Sequence, residues 1–144
     1  MPFIAKADFP QSVHDDILNA LTKGDDSKIT RNCESTIDEM KAYLNGRYDV
    51  DAIFDATGND RNRFLLRIAL SITLYFIYKI HNPRKLPEEI QTDYEKAMSD
   101  LEKIRDGELN PVGLPAPPTD QPEANSGNND PVQWGSDDAL ENSY

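Results

Sequence analysis

The chain has 144 residues, enough for one compact domain and too few for two comfortable ones. Its formal net charge of −11 excludes a protein that grips phosphate backbones along an open face, because such binding needs a concentrated basic surface. A single cysteine, Cys33, excludes an internal disulfide framework and fits a reducing compartment.

Charge is unevenly spread along the chain. All 15 Lys and Arg residues precede Pro111, whereas the remainder holds six acids and six of the ten prolines. We read one folded helical domain, residues 1–110, followed by a polar, Pro-rich acidic tail, residues 111–144, extended or docked on a partner. Setting the tail acids aside leaves the body near −5, so no basic domain is hidden beneath them. An acidic body can border DNA that must slide past without sticking, or serve solubility alone; composition does not separate the two. The N-terminus has neither a basic region nor an apolar run, so no secretory signal is expected.

In chain order, Asp8 and Pro10 mark a start, and Val13, Ile17, Leu18 and Leu21 recur at helical spacing up to Gly24. Asp25-Asp26-Ser27 then supplies capping chemistry for a second helix. Its stripe of Ile29, Cys33, Ile37, Met40 and Leu44 lies on one face of a 3.6-residue repeat, and Asn45-Gly46 reads as a left-handed cap. Residues 47–60 read as a long irregular loop, with Tyr48, Ile53 and Phe54 available to pin it or to meet a partner.

A third helix, residues 61–81, is apolar nearly all round. Phe64 to Ile80 falls short of the roughly 20 apolar residues of a membrane span and is interrupted by Arg67, Ser71, Thr73 and Lys79. It is expected to be a core helix, with a neighbouring subunit completing its cover. Arg63 and Arg67, four apart on it, either face a neighbouring subunit or a DNA channel, or pair with acids of the second helix such as Asp38; the pairing is the favoured expectation. Tyr75 and Tyr78 serve equally as core or interface residues. Pro87 with Glu88 and Glu89 starts a fourth helix, whose stripe is Ile90, Tyr94, Ala97, Leu101 and Ile104, ended by Gly107. Beyond it a proline-rich spacer leads to Trp134, either an aromatic anchor suited to docking or an incidental residue of a disordered tail. The fold class is therefore all-α: a small bundle of four to five helices with a long irregular loop and an extended C-terminal tail.

Catalytic chemistry finds little support. His14 and His81 are distant in sequence and have no nucleophile neighbour, and there is no phosphate-cradling glycine loop or serine elbow. Asp49, Asp51 and Asp55 invite a calcium reading, but their spacing departs from an EF-hand loop and the bidentate Glu is missing. We expect no enzymatic activity, no metal and no cofactor.

Four motifs in sequence order carry a resemblance. Ile4 to Phe9 is similar to an "I-x-x-x-D-[LF]" opening, and Ile37 to Tyr48 to an "I-D-x-Y-L-x-G-R-Y" signature. Leu65-Leu66-Arg67-Ile68-Ala69 matches "L-x-R-I-A", and Tyr94, Ala97, Leu101, Ile104 and Gly107 match a closing helix. Together, across Phe3 to Leu114, they resemble the Mu-like phage neck protein family. Asp and Gly replace the prolines common after "G-R-Y", and the tail beyond Leu114 exceeds the family core. The resemblance implies a helical head–tail connector in the virion neck, assembled in the host cytoplasm. It also implies that the chain joins copies of itself in a ring, a dodecamer, between the portal protein and a tail-completion or stopper protein. DNA would be passing cargo only, and no membrane is involved. Interface residues on this reading are Tyr48, Ile53, Phe54, Arg63, Arg67, Tyr75, Tyr78 and Trp134. The alternative is a cytosolic helical protein-interaction adaptor unrelated to virions.

Overall fold

The computed structural model describes residues 2–11 and 14–117, and the described residues are helical with no strand. Five α-helices follow in order: α1 (Asp15–Thr22), α2 (Asp26–Leu44), α3 (Val50–Asp55), α4 (Arg63–His81) and α5 (Glu88–Arg105). Short 3₁₀ helices, Lys6–Gln11 and Gly58–Asp60, precede α1 and α4.

Local chemistry sets most of the boundaries. The Asp25 carboxylate accepts from the Ser27 amide at 3.0 Å and starts α2. Asn62 starts α4 in the same way, its Oδ1 accepting from the Leu65 amide at 3.0 Å. The end of α1 turns left-handed one residue before the expected glycine, at Lys23 (φ 55°), and Gly24 follows at φ 74°.

Two expectations are corrected. Asn45-Gly46 does not form a left-handed cap: Asn45 stays right-handed, and the Arg47 and Tyr48 amides both donate to the Leu44 carbonyl, carrying the turn onward. The 47–60 segment is not wholly irregular either. Asp49 caps the Ala52 amide at 3.2 Å and starts α3, because Ile53 and Phe54 gain burial only once the backbone coils.

Helix α4 is the central element, packed against α5, α2 and α1. By length and composition it would suffice to cross a membrane, yet nine of its side chains are buried inside the bundle. The expected need for a neighbouring subunit to cover it is not met: among its apolar residues only Ile80 stands exposed. The stripes of α2 (Ile29, Cys33, Met40, Leu44) and α5 (Ala97, Leu101, Ile104) are buried with it, along with Phe3, Ile4 and Phe9 from the N-terminal segment. Each fully buried Leu or Ile stabilises the fold by roughly 2 kcal/mol. Two buried hydroxyls join α2 to α4, Thr73 Oγ1 lying 2.7 Å from Thr36 Oγ1.

The body does not stop at Asn110. The Val112 carbonyl accepts from Asn62 Nδ2 at 3.0 Å, the Pro115 carbonyl accepts from the Asp49 amide at 3.1 Å, and Leu114 packs on the core. Residues 111–117 are thus a strap across the starts of α3 and α4, part of the folded unit.

Candidate interaction surface

The sequence motifs meet in space. Asp8, from the opening motif, accepts from Arg61 Nη1 at 2.9 Å, and the same nitrogen donates to the Phe3 carbonyl at 2.8 Å. Arg61 Nε donates to the Gly58 carbonyl at 2.8 Å. This guanidinium therefore ties the N-terminal segment to the approach to α4. Sequence reading missed Arg61; the one available signal was an acid fixed within the opening motif and in need of a partner.

Arg47 and Tyr48, of the "G-R-Y" motif, reach the segment that follows α5. Arg47 Nη2 and the Tyr48 hydroxyl both reach Asn110 Oδ1, at 3.4 and 3.3 Å. Gly107 sits at φ 84°, and a Cβ there would lie 3.2 Å from the Arg47 guanidinium. The left-handed backbone favours glycine, and a side chain there would also push the exposed Arg47 guanidinium aside by a few tenths of an ångström.

The expected interface residues that the structure describes separate into four groups. Ile53 and Phe54 are spent on the chain's own core, 4% and 5% exposed, with Phe54 edge-on to Phe3 at 4.9 Å. Tyr48 is half-buried and serves the contact just described. Tyr75 and Tyr78 are half-buried, and Tyr75 lies at the seam of α4 and α5. There Tyr75 stacks on Tyr94 at 3.8 Å, Phe76 packs edge-on, and the Lys79 ammonium lies 5.5 Å from the Tyr75 ring. Burial pushes the Tyr78 and Tyr94 phenols up, with Glu39 and neighbouring tyrosines adding to the shift at Tyr94. Trp134 lies outside the described residues.

Arg63 and Arg67 are exposed, and the expected pairing with Asp38 is not present. The two arginines border a hollow with Gly58, Arg61 and Leu66, whereas Asp38 borders another beside Phe3 and Phe54. The Arg67 guanidinium instead lies 5.1 Å from the Phe64 ring. Exposure removes the desolvation cost that was expected to demand an acid.

Groups with reactive potential are dispersed. His14 precedes α1 and His81 ends α4, both exposed. The Cys33 thiol is pushed up to about 12, first by burial and then by the charges of Asp8 and Glu34, so it stays protonated and is a poor nucleophile. Asp49 caps α3, and Asp51 lies 3.9 Å from Lys41. Among the described residues no three His, Cys, Asp or Glu side chains gather as a metal group.

Fold and surface together define an all-α bundle with a half-exposed aromatic seam and an arginine-bearing hollow beside it. The chain belongs to the Bacteriophage Mu Gp36 family, whose model matches residues 3–130. It is thus a member of a Mu-like phage protein family. The match extends sixteen residues past Leu114, which corrects the expectation that the family core ends there. No curated protein and no solved structure matches the chain.

Proposed function

We propose that this chain is a structural head–tail connector subunit, without catalytic activity. Copies of it form a ring in the virion neck between the portal protein and a tail-completion or stopper protein, and DNA passes through the lumen. Family membership over residues 3–130 carries this reading. The molecule's construction is consistent with it: Arg61 ties the N-terminal segment to the approach to α4, and Arg47 reaches Asn110 beyond α5, joining distant parts of the chain into one packed unit of the kind a closed ring repeats. The half-exposed Tyr75, Tyr78 and Tyr94, with the free Arg63 and Arg67, supply the aromatic and arginine side chains that dominate protein interfaces. A net charge of −11 keeps DNA as cargo and not as ligand.

Light scattering of the protein alone, and then mixed with the portal protein encoded nearby, tests the proposal. A shift into one large particle on mixing, seen as a ring in electron micrographs, is the expected outcome. A stable monomer that ignores the portal and binds one other protein one-to-one would overturn it in favour of an adaptor.

A further inference from the structure

Although the chain carries −11, a second cleft besides the arginine hollow is lined by basic side chains with no carboxylate among them. It lies where the end of α1, the first half of α2 and the end of α4 meet, with a volume of about 360 Å³. Lys23, Lys28, Arg31 and His81 border it, and Ile77 and Ile80 form an apolar wall. Ile80 is 67% exposed, the most exposed large apolar side chain in the described helices. None of the four basic groups is in an ion pair among the described residues. Asp25 feels the charges of Lys28 and Arg31, but its carboxylate is engaged by the Ser27 amide and hydroxyl at 3.0 and 2.6 Å. Such a cleft fits a peptide that is acidic and carries one large apolar side chain.

We propose that its occupant is the C-terminal segment of the same chain, residues 130–141. That segment holds Asp130, Asp137, Asp138 and Glu141 around the only tryptophan, Trp134, and contains no basic residue. The indole meets Ile77 and Ile80 while the carboxylates lie among Lys23, Lys28 and Arg31. Reach permits this. The described residues end at Pro117, the last of the strap held at the start of α4, whereas the cleft lies at that helix's other end. The 19 residues of α4 span roughly 28 Å. The linker from Pro117 to Trp134 has a root-mean-square span of about 23 Å as a coil, and about 56 Å when extended. A tether matched to its span gives an effective concentration in the millimolar range, so at micromolar protein the chain's own tail outcompetes another copy's. DNA would use the cations but has no use for the isoleucine wall, which favours the peptide.

This inference stands apart from the ring proposal and is tested on the isolated full-length chain. Trp134 emission reads the docking directly. Expected are emission blue-shifted from that of a synthetic peptide of residues 127–144, weak quenching by acrylamide, and no change on dilution. Lys28→Glu with Arg31→Glu, and separately Ile80→Asp, should each shift emission to that of the peptide and raise quenching severalfold, with far-ultraviolet helicity unchanged. Should one variant fail to fold, the other decides. Peptide-like emission in the unaltered protein overturns the proposal, as does a protected tryptophan that survives the variants. Protection lost on dilution would make a second copy the occupant, and a short DNA duplex bound at the cleft beside an exposed Trp134 would make it a phosphate site; either overturns the proposal.

Discussion

Arg61 holds three acceptors at once, in a setting where its side chain is 16% exposed and that of Asp8 is 14%. Removing one member of such a pair leaves the other poorly solvated, and the Phe3 carbonyl loses its donor as well. Arg61→Ala is therefore expected to cost about 2 kcal/mol, read from urea midpoints, with much of that loss shared by Asp8→Ala in a double-mutant cycle. Additive losses would mean that the pair is incidental. Cys33 makes a different prediction. Its thiol is pushed up from 9.0 to about 12 in the fold. Below the lower value both states keep the proton, so stability is unaffected; between the two values only the unfolded chain releases it, so stability falls as pH rises. Unfolding at about pH 8 and about pH 10 should show a steeper loss for the native protein than for Cys33→Ala. Iodoacetamide should label Cys33 at about pH 8 only after urea is added.

At the scale of elements, two joints govern how the helices meet. Asn62 caps α4 with its carbonyl and holds the strap with its amide, so Asn62→Ala loses a cap and a tether together. A cost of about 1–2 kcal/mol is expected, read as a lower thermal midpoint. Gly107 closes α5 in a left-handed conformation beneath the Arg47 guanidinium. Gly107→Ala should cost about 1 kcal/mol or more, from backbone strain and displacement of Arg47. If Arg47→Ala removes most of that penalty, the contact and not the backbone is the dominant cause. The two motif glycines have different fates. Gly107 is conformationally favoured, whereas Gly46 has open space around it and no positive φ.

For the whole molecule, the folded unit includes the strap. Truncation after Pro117 should leave helicity and cooperative unfolding intact. Truncation after Asn110 removes the burial of Leu114 and the acceptors for Asn62 and Asp49. A further loss of about 2 kcal/mol is expected, visible as a lower denaturation midpoint. Equal midpoints for the two truncations would return the boundary to Asn110. The coverage of α4 also acts at this scale. Its apolar surface is closed by α1, α2 and α5 within one chain, so the aromatic seam and the arginine hollow, and not an open core face, are the surface it leaves to solvent.

Much of the architecture was legible before any coordinates. Periodicity located four of the five helices because an apolar stripe every 3.6 residues has few other ways to be buried, and Asp25 and Gly107 marked ends through chemistry local to the backbone. Four short motifs identified the family, which the match over residues 3–130 bears out. What lay beyond the sequence depended on residues far apart in the chain. Helix α3 exists because Ile53 and Phe54 find the core, and six residues are too few to be read from propensity alone. Arg61 reaches Asp8 across 53 positions, and Asn62 reaches Val112 across 50. Whether Arg63 and Arg67 pair, and whether α4 needs a partner to cover it, turned on which faces the neighbouring helices occupy. Sequence determined the elements, since their forces act over one or two helical turns; tertiary structure decided the surface, since exposure belongs to the packed whole.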